Sequence, residues 1–276
     1  MDVMTWARLL LEGSTLQEKL TPLSLTAPMG EWSSYMLPET PGRAGKLSFS
    51  SEKIKFPRGQ QLATKIGRST AIHSFANHEL LAVEMMAAAL LVYPHSEEDA
   101  ASIRMKRGLL STIRDEQKHL ALYLHRLKDD GVEFGDYPMN GFFWRQMEKL
   151  PTPASFFALM ALTFESANLD FSLLYEKAFR DLGDTKTADL LRVVYDDEVT
   201  HVALGAHWLG QWRGDKTLWD YYREVLPYPL TPARAKGADY LPDTRIAAGL
   251  DLDWVTRLGE FKDEFQVVNR RSWNQT

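Results

Sequence analysis

The sequence predicts an all-α fold whose centre is a four-helix bundle made of two antiparallel helical hairpins and a long crossover. Four stretches between Arg68 and Arg213 lack internal proline and carry apolar residues at three- and four-residue spacing, the pattern of amphipathic helices. Short loops join the first stretch to the second and the third to the fourth. Residues 130–151 separate the second from the third, and this long connection indicates two hairpins with a crossover rather than a simple up-and-down bundle.

Residues 1–67 predict an irregular N-terminal extension that wraps the bundle. Residues 2–11 show helical apolar spacing and predict a short helix, after which repeated prolines and glycines favour extended chain. The segment LSFSSEKIKF, residues 47–56, alternates in part and predicts a short strand.

The four bundle helices are bounded by the residues expected at helix ends. Acidic residues open the second helix, the third begins after Pro153, and Pro94, Gly131, Gly183 and Gly214 follow the four predicted ends. The predicted helices cover approximately residues 68–92, 96–129, 154–181 and 184–213.

Residues 214–276 predict a C-terminal segment that covers the bundle rather than a second domain. A short helix is expected over 217–225, a proline-rich loop (LPYPLTP) follows it, and a further helix is expected over 251–265.

The composition limits the chemistry available to the chain. With 276 residues, 45 % hydrophobic and 25 % charged, it has the balance of a soluble globular protein of one large domain with extensions. It has no cysteine, so any metal must be held by oxygen and imidazole ligands. The net charge of −5 argues against unspecific binding of nucleic acid, although it is compatible with a local basic groove that binds tRNA.

The chain is expected to be cytoplasmic and without a membrane span. Its N-terminal residues lack a basic region and include acidic side chains, unlike a signal peptide. The longest apolar stretch, Leu80 to Tyr93, is too short to cross a bilayer and contains Glu84.

One motif occurs twice, each time inside a long predicted helix. Residues 115–122 and 197–204 both follow the pattern Asp-Glu-x-x-His-x-Ala-Leu. Residues three apart in a helix lie on one face, with Cβ atoms about 5–6 Å apart, so each Glu-x-x-His can hold an ion between a carboxylate and an imidazole. One copy would mean little, but two copies with the same flanks predict a pair of metal-binding half-sites. Their ligands are Glu116 with His119 and Glu198 with His201.

The two remaining helices are each expected to supply one more glutamate. In the third helix Glu165 lies in an otherwise apolar run. In the first helix, superposing the hairpins on their loops places Glu79 beside Glu165 and Glu84 beside Asp170, which favours Glu79 as the ligand. The 32 residues from Glu84 to Glu116 resemble the 33 that separate the corresponding pair in the other hairpin, so Glu84 is the alternative.

The order Glu, Glu-x-x-His, Glu, Glu-x-x-His over residues 68–213 resembles the ferritin-like di-iron carboxylate superfamily. Within it, the segments HSFANHELLAVEMMAAALL and TRIAAGL, with the repeated motif, are similar to a bacterial ferritin-like family of unassigned function. The resemblance covers about half of the chain. It implies a ferritin-like di-metal bundle over 68–213 that holds two iron ions, with manganese or a mixed iron–manganese pair as the alternative metals.

Several side chains are expected around the metals. Asp115 and Asp197, each four residues before a ligand histidine, could orient the imidazole on their own helix. The resemblance to desaturases implies instead bonds across the bundle, from Asp115 to His201 and from Asp197 to His119. The further candidates are Tyr123 and Asn168 beside the site, and Ala82, Ser172 and Gly205 as small residues that would leave a cavity.

The other histidines are expected at surface or otherwise satisfied positions, and three tryptophans are expected in the core. These residues are His73, His78, His95, His125 and His207, and Trp208, Trp212 and Trp219.

For function, the resemblance implies an O₂-dependent oxidase or hydroxylase that acts on an organic or tRNA-borne substrate and draws electrons from a reductase. Iron handling, as ferroxidase or peroxide scavenger, and non-catalytic binding by a metal-stabilised protein are the alternatives.

Overall fold

The computed structural model describes residues 1–52 and 54–263, and their regular secondary structure is helical. Within these residues the only β-structure is an isolated bridge between Phe49 and Met139, so the all-α prediction is confirmed. The α-helices of the described residues are α1 (Val3–Glu12), α2 (Leu16–Lys19), α3 (Lys65–Val92), α4 (Ala100–Asp129), α5 (Pro153–Leu159), α6 (Ser166–Asp181), α7 (Thr185–Trp212), α8 (Leu218–Val225), α9 (Pro242–Ala247) and α10 (Leu252–Glu260).

The chain divides into two compact units, each built around one long hairpin. The first unit contains residues 1–57 and 64–148 and holds the hairpin of α3 and α4. The second contains residues 58–63 and 149–263 and holds the hairpin of α6 and α7. The segment boundaries predicted from the sequence, at 67 and 213, stay a prediction.

In the first unit, α3 is buried along almost its whole length, and α1 packs against it. The side chain of Thr64 accepts a hydrogen bond from the Gly67 N–H, so α3 begins three residues before the predicted 68. Asp99 caps α4 through the N–H groups of Ala101 and Ser102, so α4 begins at residue 100 rather than 96.

The strand predicted over residues 47–56 is wrong. Gly45–Leu47 forms a 3₁₀ turn, and of the described residues in this segment only Phe49 pairs, with Met139. A strand needs a partner that pairs with it over several residues, whereas Met139 forms a single bridge. At this bridge the Met139 carbonyl accepts a hydrogen bond from the Ser50 N–H over 2.9 Å.

In the second unit the helical run from Pro153 to Asp181 is interrupted by a π-helical segment, Met160–Glu165. The helix predicted over 251–265 is shorter, since α10 ends at Glu260, and its predicted residues 264–265 lie outside the described residues.

Two helical runs are long and apolar enough to cross a membrane by length and composition, Lys65–Val92 and Pro153–Asp181. In the most apolar 18-residue window of each run, 83 % and 72 % are buried inside the protein, as is typical of core helices. The burial is consistent with a soluble protein.

Candidate metal centre

The first unit brings a glutamate of α3 next to the Glu-x-x-His pair of α4. Nδ1 of His119 lies 3.5 Å from Oε2 of Glu79 and 3.6 Å from Oε2 of Glu116. One ligand atom from each of these residues lies within 4.8 Å of the others, and all three side chains are buried. The group could therefore hold a metal ion.

The electrostatics of this group favour a bound cation. Burial, together with the negative charge of Glu116, raises the pKa of Glu79 well above its usual range. Two carboxylates so close in a buried place repel each other, and a cation between them would remove that cost. Carboxylate oxygen and imidazole nitrogen are suitable ligands for divalent iron or manganese, so the donor set fits the expected metals.

The second unit contains the other Glu-x-x-His pair, on α7. Nδ1 of His201 lies 3.1 Å from Oε2 of Glu198, and both side chains are buried. The amide of Asn168, on α6, donates from Nδ2 to Oε1 of Glu198 over 2.8 Å. Asn168, expected beside the site, thus contacts a predicted ligand directly.

Glu165 is the last residue of the π-helical segment, and its side chain is buried. The Thr163 hydroxyl, two residues earlier, donates to the Ala158 carbonyl over 2.8 Å and lies 2.8 Å from the hydroxyl of Tyr222. π-Helical segments inside α-helices are frequent at functional sites. The apolar periodicity of the sequence did not predict this π-helical segment.

Glu84, the alternative to Glu79, has a different set of partners. Its carboxylate accepts from Lys19 Nζ over 3.0 Å and from Arg43, whose nearer nitrogen lies 2.6 Å away. Arg43 also donates to Oδ1 of Asn77 over 3.2 Å. Glu84 therefore anchors the N-terminal segment to α3 and is neutralised by two cations.

The side chains expected around the metals differ in their exposure to solvent. Asp115 is partly exposed and lies 3.5 Å from Nζ of Lys118. Asp197 is partly exposed too, and its backbone carbonyl accepts from the Thr200 hydroxyl. Tyr123 is buried, with its ring centroid 5.7 Å from that of Phe75. A hydrogen bond from each aspartate to a ligand histidine, of its own motif or of the other motif, stays a prediction.

The predicted cavity is wrong at Gly205. A Cβ at this position would lie 2.2 Å from Cβ of Ala161, so the glycine lets α7 approach the π-helical segment closely and leaves no space. Ser172 directs its hydroxyl to Oδ1 of Asn168 over 3.3 Å, and Ala82 is buried on α3.

The remaining histidines have structural surroundings. Nε2 of His73 accepts from the Gly135 N–H over 2.8 Å, and burial lowers the pKa of His73 to about 4. His95 lies between Lys106 and the Gly30 carbonyl. The rings of His78 and His207 lie against Phe143 and Trp208, and His125 is exposed.

Comparison with known proteins adds a family to this geometry. The chain is 25 % identical, over 207 residues, to an uncharacterized protein of Haemophilus influenzae, and the similarity covers 71 % of this chain and 70 % of the relative. No solved structure is significantly similar to it. A family model described as "Protein of unknown function (DUF455)" matches residues 11–256, nearly the whole described chain, and the protein therefore belongs to that family.

Proposed function

We propose that this protein is a ferritin-like di-iron carboxylate protein that uses O₂ to oxidise or hydroxylate an organic or tRNA-borne substrate. The observation that carries the proposal is the repetition of one buried Glu-x-x-His motif in two helical hairpins, with a further buried glutamate on the other helix of each hairpin. The proposed ligands are Glu79, Glu116, His119, Glu165, Glu198 and His201.

The burial of these ligands supports a bound metal pair rather than a set of unmetallated ionisable groups. The four glutamates and two histidines are each less than 8 % exposed. Burying that many carboxylates without a compensating charge would be costly, and burial beside Glu116 accordingly raises the pKa of Glu79. Two divalent cations would balance four carboxylates.

The side chains of this protein would hold the metals, orient them and exclude water. When bound, two iron ions held by these side chains would supply two electrons to O₂. Glu79, Glu116 and His119 would bind from one hairpin, and Glu165, Glu198 and His201 from the other. Because the electrons must be replaced after each turnover, the proposal includes a reductase partner. A soluble, cytoplasmic protein would be accessible to such a reductase.

Iron handling is the second candidate, and the packing at Gly205 favours it. A ferroxidase needs no cavity for an organic substrate, and the contact with Ala161 closes the place where such a cavity was expected. Manganese or a mixed iron–manganese pair would fit the same ligands.

The test is metal analysis of protein purified from iron-supplemented cells, followed by O₂ consumption with a chemical reductant. We expect about two iron or manganese ions per chain and reductant-dependent O₂ uptake. Protein without transition metal would refute the proposal. A mineral core of many iron ions per chain would select the iron-handling candidate over the oxygenase.

A further inference from the structure

Two polar side chains of α6 fix the orientation of Glu198. Because an ionised carboxylate only accepts hydrogen bonds, the NH₂ group of Asn168 must face Oε1 of Glu198, 2.8 Å away. The Ser172 hydroxyl donates to the other end of the same amide, Oδ1, over 3.3 Å. The amide is therefore held at both ends, and a rotation by 180° would turn its oxygen toward the Glu198 carboxylate and lose that bond.

This arrangement makes the two oxygens of Glu198 different. Oε1 is engaged by the amide, whereas Oε2 lies 3.1 Å from Nδ1 of His201. Glu198 therefore presents Oε2 and the imidazole together on the same side as a preformed pair of ligand atoms.

The first unit has apolar side chains at the matching positions. Asn168 and Ser172 lie three and seven residues after Glu165, and the residues three and seven after Glu79 are Ala82 and Met86. Both are buried, and neither side chain can donate a hydrogen bond to a carboxylate. The hairpins repeat the ligands but not this support.

We propose that Asn168, held by Ser172, is a positioning residue that makes the Glu198–His201 half-site chemically different from the Glu116–His119 half-site. The proposal rests on the proposed function, since it concerns how that metal pair is bound. The two ions bind in two separable steps, and the step at Glu198 and His201 depends on the Asn168 amide. Partners that orient ligands in this way typically contribute about 10–100-fold in metal affinity.

The test is calorimetric titration of the metal-free full-length protein with Co²⁺, together with the visible absorption of the bound Co²⁺. The variants His119→Ala and His201→Ala assign the two steps. We expect Asn168→Ala and the nearly isosteric Asn168→Leu to weaken the His201 step about 10–100-fold and to leave the His119 step unchanged. Ser172→Ala should weaken the same step by less. Met86→Leu, at the position that matches Ser172, is the control and should change neither step.

The outcomes separate this proposal from the proposed function. If the wild type binds two Co²⁺ ions and the Asn168 variants only melt at lower temperature with unchanged binding, Asn168 is merely structural and this proposal is overturned. Equal weakening of both steps overturns it too. A wild-type protein that binds no Co²⁺ overturns both proposals. If Asn168→Ala does not fold, Asn168→Leu and Ser172→Ala give the same decision.

Discussion

Glu79 and Glu84 lie five positions apart on α3, both buried, in opposite electrostatic surroundings. Glu84 touches Lys19 and Arg43, whereas Glu79 lies beside Glu116 and has a raised pKa. A carboxylate with two cations is a structural anchor. A buried carboxylate beside another carboxylate favours the binding of a metal ion.

Substitutions at the two glutamates should therefore have opposite effects. Glu79→Gln should lower metal content to about one ion per chain or fewer, and should stabilise the metal-free protein because it removes like-charge repulsion. Glu84→Gln should leave metal content unchanged but cost about 3–5 kcal/mol of unfolding free energy, because Lys19 and Arg43 lose their counter-charge. Elemental analysis and urea unfolding without metal measure the two quantities. Loss of metal in Glu84→Gln with unchanged stability would show that the roles are reversed.

At this scale the sequence could locate the Glu-x-x-His pairs, since residues three apart share a helix face whatever the tertiary structure. It left Glu79 and Glu84 as alternatives, because the choice depends on Lys19 and Arg43, which are distant in sequence and reach α3 only through the fold.

At the scale of elements, the close approach of α7 to the π-helical segment shapes the surroundings of Glu165. Gly205 contacts Ala161, four residues before Glu165 in the same segment. The periodicity of the sequence predicted both helical runs, but a π turn and a close helix contact arise from tertiary packing, which periodicity does not report. Small residues had suggested a cavity, and the structure uses Gly205 for contact instead.

Gly205→Ala should therefore destabilise the protein even though alanine is the better helix former. The added methyl would lie 2.2 Å from Cβ of Ala161, and relieving that overlap should cost about 1–3 kcal/mol. Ala161→Gly in the same chain should recover part of the loss, which a double-mutant cycle by urea unfolding would measure.

Gly210→Ala is the matched control on the same helix. In the described part of the chain, a Cβ at Gly210 has no heavy atom within 4 Å, so this change should stabilise the protein by about 0.5–1 kcal/mol. If Gly205→Ala were as stabilising as Gly210→Ala, the close contact with Ala161 would be refuted and a cavity at Gly205 would again be tenable.

At the scale of the whole molecule, the two units repeat a second feature, of which the sequence showed the carboxylates but not their partners. Five residues after each proposed ligand, Glu79 and Glu165, lies another buried carboxylate, Glu84 and Asp170. An arginine from outside the hairpin neutralises each. Arg43 of the N-terminal segment pairs with Glu84, and Arg245 of the C-terminal segment pairs with Asp170. The N- and C-terminal segments thus anchor the helical runs that carry the proposed ligands Glu79 and Glu165.

The pair of Asp170 and Arg245 is further fixed by backbone groups. Both side chains are buried, and Asp170 accepts from the N–H groups of Gly237 and Leu241 over 2.6 and 3.0 Å. Arg245 donates to the Ala235 carbonyl over 3.0 Å. Removing one partner leaves the other charge buried without compensation, which is costlier than removing both.

Arg245→Met and Asp170→Asn should each lower the unfolding free energy by about 3–5 kcal/mol, and the double variant should lose clearly less than the sum of the two. Urea unfolding of the metal-free protein measures the cycle. The matched control is Arg257→Met, which removes an exposed arginine paired with Asp220 and Asp253 and should cost at most about 1 kcal/mol. Additive losses in the double variant would mean that Asp170 and Arg245 act independently. The C-terminal segment would then be held to α6 by its apolar contacts rather than by this ion pair.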